Sequence, residues 1–165
     1  MNAPQAKSWT IPAIATAGLI AGILDIASAF VIAELKGTGS TRMLQGITSG
    51  LLGSQSFEGG MATAGLGFAI HFLIAFTAAS VFYIGSRQFS FLTRHTVTSG
   101  LLYGIAVYLF MYWLVVPLAF VNARHSISRD VTAVIVHMVL IGLPIALVVR
   151  RFSQKQIINE RSFGF

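Results

Sequence analysis

Four side chains able to do chemistry stand inside strongly apolar stretches: Asp25, His71, Tyr112 and His137. A carboxyl and two imidazoles are groups that exchange protons, hold cations or ligate metals, and a phenol adds a hydrogen-bonding tip. Imidazole titrates at about 6.5, so an Asp–His pair changes charge close to neutral pH. A charged carboxylate inside a membrane span costs about 2.5–3.5 kcal/mol even on the milder insertion scale. Asp25 is therefore expected to be protonated, paired or close to water, and to point inward.

The elements that must position these groups follow from composition. The chain has 165 residues, of which 55% are hydrophobic and 10% charged, with 16 glycines and no cysteine. A soluble domain carries about 25% charged residues, so a mean hydropathy of +0.78 describes a lipid-solvated protein. This composition excludes a secreted enzyme, a disulfide scaffold, a disordered chain and a conventional nucleic-acid module. Without cysteine there is no thiolate nucleophile, no thiolate-bound zinc and no iron–sulfur cluster. The net charge of +6 does not point to nucleic acid, because the basic residues are spread over connections and tail, where they serve as membrane anchors.

Four apolar runs, approximately residues 11–35, 61–84, 99–121 and 131–149, are each long enough to cross a bilayer. Backbone polar groups find no water there, so each run must be helical, and the alternation of a membrane β-barrel is absent. The expected fold is an all-α integral membrane bundle of four transmembrane helices forming a single domain over residues 1–165, with a basic cytoplasmic tail at 150–165. Four crossings put both termini on one side. Lys7, Arg87, Arg94, Arg150, Arg151, Lys155 and Arg161 lie on that side, against Lys36, Arg42, Arg124 and Arg129 opposite, which favours cytoplasmic termini. Trp9, Tyr83, Tyr103 and Phe152 fall near the span ends of that same interface. The first span has a longer apolar stretch than a signal peptide and no cleavage context, so it is expected to stay attached.

The connection from Lys36 to Gly60 is longer than a hairpin needs. Ser40 or Thr41 can cap a short helix in it whose Met43, Leu44, Ile47 and Leu51 recur at helical spacing, while Gly46, Gly50 and Gly53 weaken it. An amphipathic or re-entrant segment over the outer mouth of the bundle is expected.

A rise of about 1.5 Å per residue puts Asp25 roughly 10 Å from the outer edge of the membrane, His71 roughly 15 Å and His137 roughly 10 Å below it, with Tyr112 at a comparable level. Asp25 shares its face with Gly18, Gly22 and Ala29; His71 shares its face with Ala64, Gly67, Ala75 and Ala78; Tyr112 follows Gly104 and Tyr108. Three readings compete for this constellation. The residues can be polar glue that fixes helix register, each bond contributing about 0.6–2 kcal/mol. They can form a ligand- or proton-binding site for a proton, cation or small solute, with Glu34 near an entrance and Pro144 leaving the Leu140 carbonyl without its helical donor. Or His71 and His137 can be axial ligands of haem b, with Gly67 and Gly104 making room, and Asp25 joining the two histidines in a metal site as a variant of that reading.

His95 and His125 sit among loop arginines, where headgroup positions are the default, and Phe89, Phe91 and Arg94 suit an interfacial patch. No phosphate-binding loop, HExxH motif, GxSxG elbow or N-x-[ST] acceptor is present, and Ser54 and Ser56 have no His–Asp partnership, so no catalytic residue is assigned. The strings Ala69–Ile74 and Ile135–Leu140 align around their histidines. That is consistent with a two-plus-two duplication and equally with chance among apolar strings.

At Gly22 to Asp25, Leu44 to Gly53, Phe57-Glu58-Gly59-Gly60 and Gly142-Leu143-Pro144-Ile145-Ala146, the chain resembles a family of small uncharacterised bacterial inner-membrane proteins with four helices, over most of residues 15–152. The resemblance implies a bacterial membrane protein and supplies no site residue. The function expected is binding or transport of a small solute or proton at Asp25, His71, Tyr112 and His137. The alternatives are an accessory or structural subunit of a membrane complex and a haem redox carrier. The expected partners are the lipid bilayer and a second copy or another membrane protein.

Overall fold

The computed structural model describes residues 9–119 and 127–163, all-α apart from short turns. Lys7, Arg124, His125 and Phe165, and the expected end of the third span at 121, lie outside the described residues. The helices in chain order are α1 (Thr10–Leu35), α2 (Ser40–Leu52), α3 (Gly60–Gln88), α4 (Phe91–Arg94), α5 (Thr96–Phe110), α6 (Val116–Ala119), α7 (Ile127–Val136) and α8 (Leu143–Phe163). A single 3-10 turn, Gly53–Phe57, joins α2 to α3. Four helical stretches, Thr10–Leu35, Gly60–Gln88, Thr96–Val115 and Asp130–Gln156, are long and apolar enough to cross a membrane, so the protein is a multi-pass membrane bundle. The helix that carries the fourth span runs on to Phe163 without a break at residue 149.

Prolines explain the irregularities in the third and fourth spans. Pro12 sits in the first turn of α1, where its missing N–H has no carbonyl to serve. Pro117 and Pro144 lie deeper in helical runs, and each would drive its ring into the carbonyl four residues back. Both are preceded by a π-helical stretch, Met111–Val115 and His137–Gly142. There the Val116 N–H donates to the Met111 carbonyl and the Leu143 N–H to the Met138 carbonyl, five residues back. The wide turn moves the carbonyl ladder out of register with the proline and keeps the helix continuous.

Small residues set how closely the spans approach. α1 packs on α3 along one side and on α8 along the other, and α5 packs on the fourth span. A Cβ on Gly142 would run into the Gly100 carbonyl and the Gly104 backbone, and one on Gly104 would run into the His137 carbonyl, so backbone meets backbone at this crossing. Tyr103 ties the third span to α3, donating to the Ala78 carbonyl at 2.7 Å and packing edge-on against Phe82.

The core is concentrated toward the end that carries Trp9. There Ala13, Ala17, Ala21, Ala79, Phe82, Tyr83, Ile141, Ile145, Ala146 and Val149 form one buried cluster. Trp9 packs against Phe152 at 5.8 Å, Lys155 lies over both rings, and Tyr83 pairs with Thr10 at 2.9 Å. Tyr83 and Tyr103 thus turn inward near the ends of their spans and tie one helix to another. Leu19, Ile23, Leu66, Leu73, Leu102, Leu109 and Val139 project outward from the four spans, an apolar exterior that requires lipid.

The connecting segment forms a 13-residue helix, α2, laid against the first turns of α3. Gln45 donates to the Gly60 carbonyl at 3.0 Å, Thr48 donates to the Thr63 carbonyl at 2.7 Å, and Gly67 lets the Leu44 carbonyl approach. Its start differs from the expected Ser40 or Thr41 cap. Gly39, at φ 79°, is the capping position, and the Glu34 carboxylate accepts from both the Ser40 N–H at 2.8 Å and the Ser40 hydroxyl at 2.7 Å. A carboxylate at a helix N-terminus satisfies unpaired N–H groups and complements the helix dipole, which is why Glu34 outcompetes the local hydroxyls.

Candidate functional site

Between the spans, on the side covered by α2, lies a cavity of about 470 Å³. That is within the range of roughly 300–1,000 Å³ typical of small-molecule sites. Asp25, His71, Tyr112 and His137 all line it. Ile32, Ile47, Met43, Ile74, Met111 and Ile141 supply apolar wall, and Lys36 and Thr38 stand at the mouth where α1 turns into α2. Glu34, expected near an entrance, does not line the cavity and is held by Ser40 instead.

Asp25 and His71 face each other across the α1–α3 contact. Gly22, one turn before Asp25, has no side chain, and a Cβ there would meet the Phe72 ring at 2.8 Å. The resulting close approach lets the His71 Nε2–H donate to the Gly22 carbonyl at 3.0 Å. That bond orients the ring so that Nδ1 lies 3.9 Å from Asp25 Oδ2, with 13% and 20% of the His71 and Asp25 side chains exposed. The separation is longer than a direct hydrogen bond, so a water or ligand group that bonds both atoms must sit beside the pair, on its cavity side.

His137 and Tyr112 form a second group on the opposite wall. His137 is buried, and its Nδ1–H donates to the Ala133 carbonyl of its own helix at 2.8 Å. Tyr108 and Tyr112 stack on one another at 4.9 Å, and the His137 ring meets both edge-on at 5.9 and 5.8 Å. His137 also lies within electrostatic reach of Asp25. Tyr112 and His137 stand in or at the start of the two π-helical stretches, a placement frequent at functional positions.

The four sequence-selected residues are therefore brought to one cavity as two sub-clusters, one bridging α1 and α3 and the other bridging the third and fourth spans. Tyr108 packs behind the second of these, against Tyr112 and His137, without lining the cavity, and its polar neighbours are Asp130 and Trp113. Its four-residue offset from Tyr112 was the available signal. The backbone carbonyls that orient the imidazoles, from Gly22 and Ala133, carried no sequence signal. The two histidines that an internal duplication would superpose make different bonds, one across helices and one within its own. As for a metal site built from Asp25, His71 and His137, no group of three His, Asp or Glu side chains among the described residues closes to ligating distance.

No protein-family model matches this sequence, and no curated protein or solved structure shows a match to it, so the functional argument rests on this geometry.

Proposed function

We propose that this is a bacterial inner-membrane protein, with both termini cytoplasmic, that binds or transports a small solute or proton at the cavity between its spans. The observation that carries the reading is the Asp25–His71 pair. Because the Gly22 carbonyl accepts from the His71 Nε2–H and holds that proton on Nε2, the pair has one further protonation site on Nδ1 and one on the carboxylate. It passes from a charge of −1 to zero on taking up one proton, whichever of the two atoms holds it. An intramembrane carboxyl facing a cavity and paired with an imidazole is the arrangement found along ion and proton paths. Seven basic residues against four support the orientation.

The test is flux. In liposomes containing a trapped pH indicator and an imposed potential, the full chain is expected to pass protons, and Asp25→Asn to cut the rate about tenfold with an unchanged elution profile in detergent. Equal flux in the variant removes Asp25 from the mechanism.

A further inference from the structure

Each imidazole bordering the cavity commits one nitrogen to a backbone carbonyl, which leaves a lone pair on the other. A carbonyl oxygen only accepts, so His71 carries its proton on Nε2 and His137 carries its proton on Nδ1. In the neutral rings the remaining nitrogens, His71 Nδ1 and His137 Nε2, are acceptors. His71 Nδ1 is the atom beside Asp25, and both rings border the cavity. The Asp25 carboxylate adds acceptors only. Among the described lining residues, Tyr112 brings a hydroxyl donor, and Lys36 and Thr38 bring donors at the mouth.

A wall rich in acceptors discriminates among ligands. Against the ionised pair a carboxylate or a quinone brings only more acceptors and leaves buried lone pairs facing one another, whereas an ammonium is matched by that same ionised state. A bare metal ion needs its ligands closer together than any three His, Asp or Glu side chains among the described residues. A cation with several N–H donors on a wider body meets both requirements, and the aliphatic wall of Ile32, Met43, Ile47 and Ile74 suits a short hydrocarbon chain. Resting on the reading that this cavity is a small-solute site, we infer that its ligand class is a protonated primary amine with a short apolar body, its N–H groups directed to Asp25, His71 Nδ1 and His137 Nε2.

Charge balance adds an exchange. In the empty cavity the Asp25–His71 pair is neutral when it holds one proton. An entering ammonium supplies the compensating positive charge itself, so that proton leaves: one R–NH₃⁺ enters and one H⁺ departs, with no covalent change in the amine. The charged or titratable groups facing the pair are Lys36 at the mouth, Tyr112 from the third span and His137 from the fourth, while α2 presents Met43 and Ile47.

Calorimetric titration of the full chain in lipid nanodiscs, referenced to empty nanodiscs, tests this with butylammonium, butyltrimethylammonium and butyrate. Butyltrimethylammonium keeps the charge and lacks N–H donors. Butylammonium is expected to bind at least about tenfold tighter than either analogue. About one proton should be released per amine, read from the dependence of the heat on buffer ionisation. Asp25→Asn is expected to abolish the proton release and weaken amine binding by a similar factor. The three-probe comparison is made on the unaltered chain, so a variant that folds poorly does not decide the outcome. Butyrate binding as tightly as the amine, or amine binding without proton release, overturns the inference. If butylammonium does not bind while Asp25-dependent proton flux persists, the amine class is wrong and the proton reading stands. Absence of both overturns both.

Discussion

Toward Trp9 and Phe152 the spans close on a buried core of Ala13, Ala17, Ala79, Phe82, Ile145 and Val149, whereas toward α2 the same four spans part around a cavity. α1 runs through both regions, and its small residues do opposite things in them. Ala13 and Ala17 are fully buried against neighbouring helices, while Ala29 and Ala33 border open volume. Small side chains thus permit close approach only where the facing helix fills the space they leave. Asp25, His71 and His137 stand where filling gives way to hollow. There a polar group can reach the cavity while its helix remains anchored by the packed region below.

The comparison predicts unequal costs for the same truncation. Ile145→Ala, in the filled region, is expected to lower stability by about 2–5 kcal/mol, whereas Ile74→Ala, on the cavity wall, merely enlarges existing space and should cost under about 1 kcal/mol. Denaturant unfolding in detergent checks the pair, and equal losses would erase the distinction between the regions. Gly142→Val forces a branched side chain into the Gly100 and Gly104 backbone and is expected to cost about 1–3 kcal/mol, read as a lower thermal midpoint. Tyr103→Phe removes the bond to Ala78 that closes the third span on α3, with an expected loss of about 0.6–1.7 kcal/mol. The smallest signal sharpens the view of the site: nitrogen-15 spectra of the neutral rings should show His71 protonated on Nε2 and His137 on Nδ1. Identical tautomers would show that one of the two carbonyl contacts is not made.

The number of spans and the shared level of the four polar groups along them were legible because both depend on counting along one chain. The expected run 11–35 corresponds to Thr10–Leu35, and 61–84 lies inside Gly60–Gln88. The third and fourth spans, Thr96–Val115 and Asp130–Gln156, begin one to three residues earlier than expected. Azimuth and partnership were not legible. Nothing in the letters says that Asp25 meets His71 while His137 meets two tyrosines, since that depends on how Gly22, Gly104 and Gly142 let whole helices approach. The tie from Glu34 to Ser40 was hidden for a related reason. A six-residue separation joins them only after Gly37 and Gly39 have turned the chain through positive φ. The attachment of α2 to α3 through Gln45, Thr48 and Thr63 depends equally on tertiary placement.

The π-helical stretch before Pro144 changes how the fourth span must be mapped. Each wide turn holds one residue more than an α-helical turn, which offsets every later position by about 100° relative to an uninterrupted helix. Asp130 and Ile145 therefore belong to two different angular frames, and a single helical wheel drawn through both assigns one of them to the wrong side. Excising one residue between 138 and 141 would merge the frames, swinging Ile145 and Val149 out toward the acyl chains and leaving Pro144 opposed to a carbonyl it cannot avoid.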